Sequence, residues 1–203
     1  MGELRESKKR ATRQRISDVA TALFYERGFD AVTVEEIAAA ANVSKVTVFN
    51  YFARKEDLML DREHEVQALL SQALRDKAKG QTAVAALRAL VEQLREQKHP
   101  FVRIDDGIAT WWRVVIASAS LKARLREIGD EAVEALALEL AGRKAGGEAR
   151  LLAGMVVLAW RTAYAESLRS FERGASTKKA DSTFAALIER GLAAAEALEK
   201  SAA

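Results

Sequence analysis

Lys45, Thr47 and Asn50 fall within the run SKVTVFNY, residues 44–51, where a cation, a hydroxyl and a carboxamide follow one another at two- and three-residue spacing. These groups share a use. A lysine ammonium reaches the acceptors of guanine, a carboxamide pairs with the adenine edge, and the methyls of Val46 and Thr47 match the methyl of thymine. Such chemistry is recognition rather than bond-making. For bond-making the chain offers little: it has no cysteine, and its two histidines, His64 and His99, have no second ligand at metal spacing. No glycine-rich phosphate loop follows a strand. The expectation is no catalytic residue, no metal site, no cofactor and no enzymatic activity.

Side chains that read bases need a short helix to present them, and the flanking residues supply one. Ser44 is placed to cap a helix running to about Phe52. At about 100° per residue, Val48 and Phe52 share its inward face, while Val46, Thr47, Phe49 and Asn50 point away and Ser44 and Lys45 lead. Upstream, Thr33-Val34-Glu35-Glu36 has capping-box spacing and starts a helix through Ile37 to about Ala41. Asn42 then stands where the chain must turn, as one of the few non-glycine residues that tolerates left-handed geometry. An earlier helix, Thr12 to Arg27, carries the stripe Ile16, Val19, Ala20, Leu23 and Phe24, and Gly28 stops it. Two short helices joined by a tight turn and braced by a third form a helix-turn-helix.

Composition agrees with helices throughout. Ala, Leu, Glu, Arg and Lys dominate the 203 residues and proline occurs once. The net charge is only +3, but residues 1–15 hold six bases (Arg5, Lys8, Lys9, Arg10, Arg13, Arg15) against Glu3 and Glu6. Positive charge is therefore concentrated at the N-terminus. The absence of cysteine fits a reducing compartment, the opening MGELRESKKR lacks the apolar core of a signal peptide, and the apolar run Met155 to Trp160 is far too short to span a bilayer. A soluble, cytoplasmic protein is expected.

Beyond the hairpin, residues 55–79 read as a long fourth helix closed by Gly80, and Thr82 to about Gln97 as a fifth, followed by a break at Pro100. A sixth runs from Asp105 to Ala117, a seventh from Ser120 to about Arg143, an eighth from Glu148 to Glu172 after Gly146-Gly147, and a ninth from Lys178 to Lys200. The eighth carries Leu151, Leu152, Met155, Val156, Ala159 and Ala163, and the ninth Phe184, Leu187, Ile188, Leu192, Ala195 and Leu198. Two such helices can form a four-helix bundle with a second copy, so a homodimer through helices eight and nine is expected, with part of each stripe facing its own domain.

The stretch GFDAVTVEEIAAAANVSKVTVFNYFARKEDL resembles the N-terminal domain of TetR/AcrR-family regulators, from the glycine through the Ile-Ala and Val-Ser pairs to the Lys-Glu-x-Leu close. Asn42 and Val46 stand where many members have glycine, and Phe49 lacks the hydroxyl of the commoner tyrosine. The resemblance implies an all-α fold of about nine helices: a DNA-binding domain at residues 1–54 and an effector-binding and dimerisation domain at 55–203. It implies double-stranded operator DNA as partner, read by Ser44, Lys45, Val46, Thr47, Phe49 and Asn50, with Thr33, Tyr51 and Lys55 at positions that hold phosphates.

It also implies a ligand-responsive regulator, by family habit a repressor, whose middle helices enclose a small molecule. The aromatic and apolar residues Phe101, Ile104, Ile108, Trp111, Trp112, Val115, Trp160 and Tyr164 would line that cavity and suit an apolar or amphipathic effector, with Arg103, Asp105, Arg113 and Arg161 as polar anchors. Trp111 and Trp112 are adjacent, so both cannot face one point, and a place in an ordinary bundle core is the competing reading. The rival function is a DNA-binding organiser with the same head and no effector.

Overall fold

Ten residues before the expected start at Thr12, α1 is already helical, and it runs Gly2–Arg27 in the computed structural model, which describes residues 2–60, 62–141 and 145–201. The early turns hold helix formers with no packing stripe, so apolar periodicity could not reveal them. Among the described residues there are eight further α-helices and no strand: α2 (Val34–Ala40), α3 (Lys45–Tyr51), α4 (Glu63–Arg75), α5 (Ala83–Glu96), α6 (Asp106–Ala117), α7 (Ala119–Ala141), α8 (Gly147–Glu172) and α9 (Thr177–Ser201). The all-α expectation holds. The end of the seventh helix expected at Arg143 lies outside the described residues.

The chain divides into two compact units: residues up to Arg62 together with Thr110–Leu125, and Glu63–Ala109 together with the residues from Arg126 on. In the first, Ile16, Ala20 and Phe24 of α1 are buried with Val32, Ile37 of α2, Val48 of α3, Phe52 and Leu58. Gly28, at φ +83°, stops α1 in the left-handed geometry that glycine adopts without strain. The single helix expected over 55–79 is interrupted. A 3-10 turn, Glu56–Leu58, precedes α4, and Leu58, Met59 and Leu60 are all buried. Three consecutive residues cannot share one face of an α-helix, so burying them requires the irregular turn. The Met59 carbonyl accepts the Trp111 indole N–H at 3.2 Å.

In the second unit, Val84, Leu87, Val91 and Leu94 of α5 pack with Leu152, Ala153 and Val156 of α8 and Phe184, Ile188, Leu192 and Ala195 of α9. Thr82 caps α5, and the Glu199 carboxylate of α9 accepts from the Ala83 and Val84 amides at 2.7 and 3.0 Å. Lys98, at φ +53°, turns the chain after α5 before Pro100 is reached. Along α8 and α9 the backbones come so close that a methyl group on Gly191 would run into Ala159.

Candidate nucleic-acid interface

Thr33 enters α2 from extended backbone, its hydroxyl accepting from the Glu36 amide at 3.2 Å while the Glu36 carboxylate accepts from the Thr33 amide at 2.7 Å. This is the expected capping box. Arg27 donates to the same carboxylate at 2.8 Å. The Thr33 amide first, then the Arg27 and Thr33 side chains, hold the Glu36 carboxyl down to about 2. After α2, Asn42 adopts φ +52° and the Val43 amide donates to the Ala38 carbonyl at 2.9 Å, which makes the corner tight. Ser44 then caps α3, its Oγ accepting from the Thr47 amide at 3.0 Å and lying 2.8 Å from Thr47 Oγ1.

With the corner fixed, α3 can present only one face to its neighbours. Val48 is buried on that face, with Phe52 just beyond the helix, whereas Val46 is 70 % and Phe49 43 % exposed. Lys45 and Asn50 are exposed as well, Thr47 and Tyr51 half-buried. The rotation derived from spacing therefore agrees with the arrangement of the helix. Glu35, which spacing did not single out, pairs with the Lys45 ammonium, and that ammonium also lies 5.9 Å from the Phe49 ring centroid.

Lys55 points inward. Its ammonium donates to the Phe29 carbonyl at 2.6 Å and sits 4.2 Å from the Phe29 ring centroid, and burial pushes its pKa down while Asp30, Glu56 and Glu36 raise it. The Arg54 amide is taken by Asp57 Oδ2 at 3.1 Å, and the other oxygen of Asp57 accepts from Arg124 at 3.1 Å. Spacing gave no sign of Arg13 either, whose guanidinium lies 4.6 Å from the Phe52 ring centroid at the end of α3. Arg5, Lys8, Lys9, Arg10 and Arg15 are exposed along α1.

Residues 16–61, the hairpin and its brace, match the profile of the bacterial regulatory proteins, tetR family. The chain belongs to the TetR family. TcmR of Streptomyces glaucescens, an HTH-type transcriptional regulator, is 32 % identical over 97 residues, covering 46 % of this chain and 43 % of TcmR. The chain spans less than half the length of the curated relatives it matches. Likeness of fold extends further. NalD of Pseudomonas aeruginosa superposes with a TM-score of 0.53 at 18 % identity, covering 91 % of this chain and 95 % of NalD. The SmeT–triclosan complex superposes at 0.58 with 21 % identity, covering 91 % of each chain.

Of the residues expected to line an effector site of this TetR-family chain, Trp111, Trp112 and Val115 lie in the first unit and Phe101, Ile104, Ile108, Trp160 and Tyr164 in the second. Trp111 and Trp112 meet edge to face at 5.0 Å, and Val115 is fully buried. In the second unit Trp160 meets Phe184 at 5.8 Å, the Tyr164 hydroxyl donates to the Pro100 carbonyl at 3.1 Å, Phe101 packs on His99 at 4.7 Å, and Ile104 is buried. A cavity of about 70 Å³ there is lined by Arg95, Lys98, Val102, Arg103 and Asp181, and by none of those eight residues. His99 contacts Glu65 at 3.1 Å; the His64 side chain lies outside the described set.

Proposed function

We propose that this chain is a homodimeric transcriptional regulator that docks α3 in the major groove of operator DNA and answers to a small apolar or amphipathic molecule, acting as a repressor in the cytoplasm. One observation carries the reading: a seven-residue helix, capped and braced on one side, leaves Val46, Phe49 and Asn50 uncovered on the other. That is the geometry by which the second helix of such a hairpin enters the groove. Ser44, Lys45, Val46, Thr47, Phe49 and Asn50 form the base-reading group. Thr33, Tyr51 and Lys55 are the proposed phosphate contacts, and for Lys55 this requires exchange of the Phe29 carbonyl for a phosphate oxygen. The exposed bases along α1 add sequence-independent attraction. Residues 1–54 are assigned the DNA-binding role and 55–203 the effector and dimer roles.

Dimerisation is supported by α8, where Leu151 and Leu158, two turns apart, are 55 and 63 % exposed. Phe184, Ile188, Leu192 and Ala195 of α9 are buried within their own unit, so the outer row of α8 is the better candidate for a second copy. A repressor that responds to an effector is supported by two fold neighbours, NalD being a secondary repressor of a multidrug efflux pump and SmeT having been captured with triclosan.

Selection of duplexes from a random library tests the reading. The purified chain should enrich a two-fold related sequence with half-sites about one helical turn apart. Asn50→Ala should relax preference at one base position by about 1–3 kcal/mol. Failure to retain any duplex at low salt would refute it, and equal losses on every sequence would remove Asn50 from the base-reading group. Fluorescence of Trp111, Trp112 and Trp160 offers the effector screen: a compound that changes the emission and lowers DNA affinity supports the responsive repressor, and no response across a broad panel favours the organiser.

A further inference from the structure

The outer face of α3 is short of unengaged polar groups. Lys45 is held by the Glu35 carboxylate, which its ammonium keeps below the usual carboxylate range. Both the amide and the hydroxyl of Thr47 are occupied by the Ser44 cap. Tyr51 is half-buried. What remains outermost is the isopropyl group of Val46 and the ring of Phe49, three residues apart and so side by side on a helix, with the Asn50 carboxamide at their edge.

A hydrocarbon surface of that kind gains nothing from phosphates or from base donors and acceptors. The base edges in the major groove offer one apolar feature, the C5 methyl of thymine. We infer that Val46 and Phe49 read thymine C5 methyl groups, so that base preference in each half-site is carried mainly by methyl contacts and Asn50 supplies a single carboxamide pairing to adenine. The inference rests on the DNA-binding reading above and names what that surface recognises. Phe49 suits the task because it lacks a hydroxyl that would need a polar partner in the groove. The Lys45 ammonium beside its ring holds the ring in place without covering its outer face, since Phe49 stays 43 % exposed.

Uracil scanning tests this with the full-length chain. On a duplex chosen by selection, each thymine is replaced in turn by uracil, which keeps every hydrogen-bonding group and lacks only the methyl. Burial of one methyl-sized group corresponds to roughly fourfold in affinity. One or two positions in each half-site should therefore lose about fourfold with the natural chain. The thymine–uracil difference should vanish at one of them in Val46→Ala and at the other in Phe49→Ala. Val46→Thr, nearly isosteric, controls for folding and should keep the difference at its position in part. Should the chain bind its operator while every uracil duplex binds within twofold of the parent, the methyl reading is wrong and the DNA-binding reading stands. It is equally wrong if the uracil losses persist unchanged in both alanine variants. Binding to no duplex at all would remove both.

Discussion

The hairpin unit and the α8–α9 pair are held together by different physics. In the first, a small apolar core is supplemented by polar locks that each demand a particular residue: the Thr33–Glu36 box, the Ser44 cap, Lys55 on the Phe29 carbonyl, Ser118 on Asp30 at 2.8 Å, and Arg124 on Asp57. In the second, α8 and α9 meet through small and aliphatic residues, Gly191 against Ala159 and Phe184, Ile188, Leu192 and Ala195 into the core. A lock fails when one atom is removed, whereas an apolar interface accepts many sequences of similar volume. This explains why the family profile stops at residue 61 while the likeness of fold extends over 91 % of the chain.

Deleting packing volume should have the largest effect. Phe184→Ala, at a site 1 % exposed, is expected to cost about 3–5 kcal/mol in urea unfolding, a loss that would be spread over the whole apolar interface. Breaking a lock comes next. Arg124→Ala strands the Asp57 carboxylate, whose side chain is only 20 % exposed, and should cost about 2–3 kcal/mol; Arg124→Ala together with Asp57→Asn should recover part of that. A result near zero for Arg124→Ala would mean that the first unit is held by its apolar core alone, and the contrast would fail.

Legibility followed the same division. Thr33, Asn42 and Ser44 were readable because caps and left-handed corners have few chemical solutions, and the faces of α3 followed from rotation once its start was known. The helical stretch ahead of Thr12 was not readable, having no apolar stripe, nor was the break at residues 59–62, which depends on burying Leu58, Met59 and Leu60 together. The inward turn of Lys55 and the pairing of Lys45 with Glu35 depend on contacts across the hairpin that local spacing does not encode. Equally, nothing near Trp111, Ser118 or Arg124 in the chain announces that residues 110–125 join the first unit.

Smaller effects sharpen the contrast. Ser44→Ala should cost about 1 kcal/mol and weaken DNA binding beyond that loss, because the cap also orders Thr47. A cost as large as that of Phe184→Ala would overturn the ranking. The mildest change is in pH dependence. The folded Glu36 carboxyl lies near 2, below its ordinary value of 4.5, so its contribution is complete above that ordinary value and is lost as the pH falls toward 2. Glu36→Gln should flatten that part of the stability profile relative to the natural chain, and superimposable profiles would show that the box is not holding the carboxylate.

The central claim is that the outer face of α3 meets DNA, and photocrosslinking tests it most directly. A benzophenone-bearing phenylalanine replaces Phe49 in one variant and Leu158, exposed on α8, in another. After irradiation with the selected duplex, the variant altered at position 49 should crosslink within the half-site and the one altered at 158 should not. Crosslinking from 158, with none from 49 despite intact binding, would contradict the account.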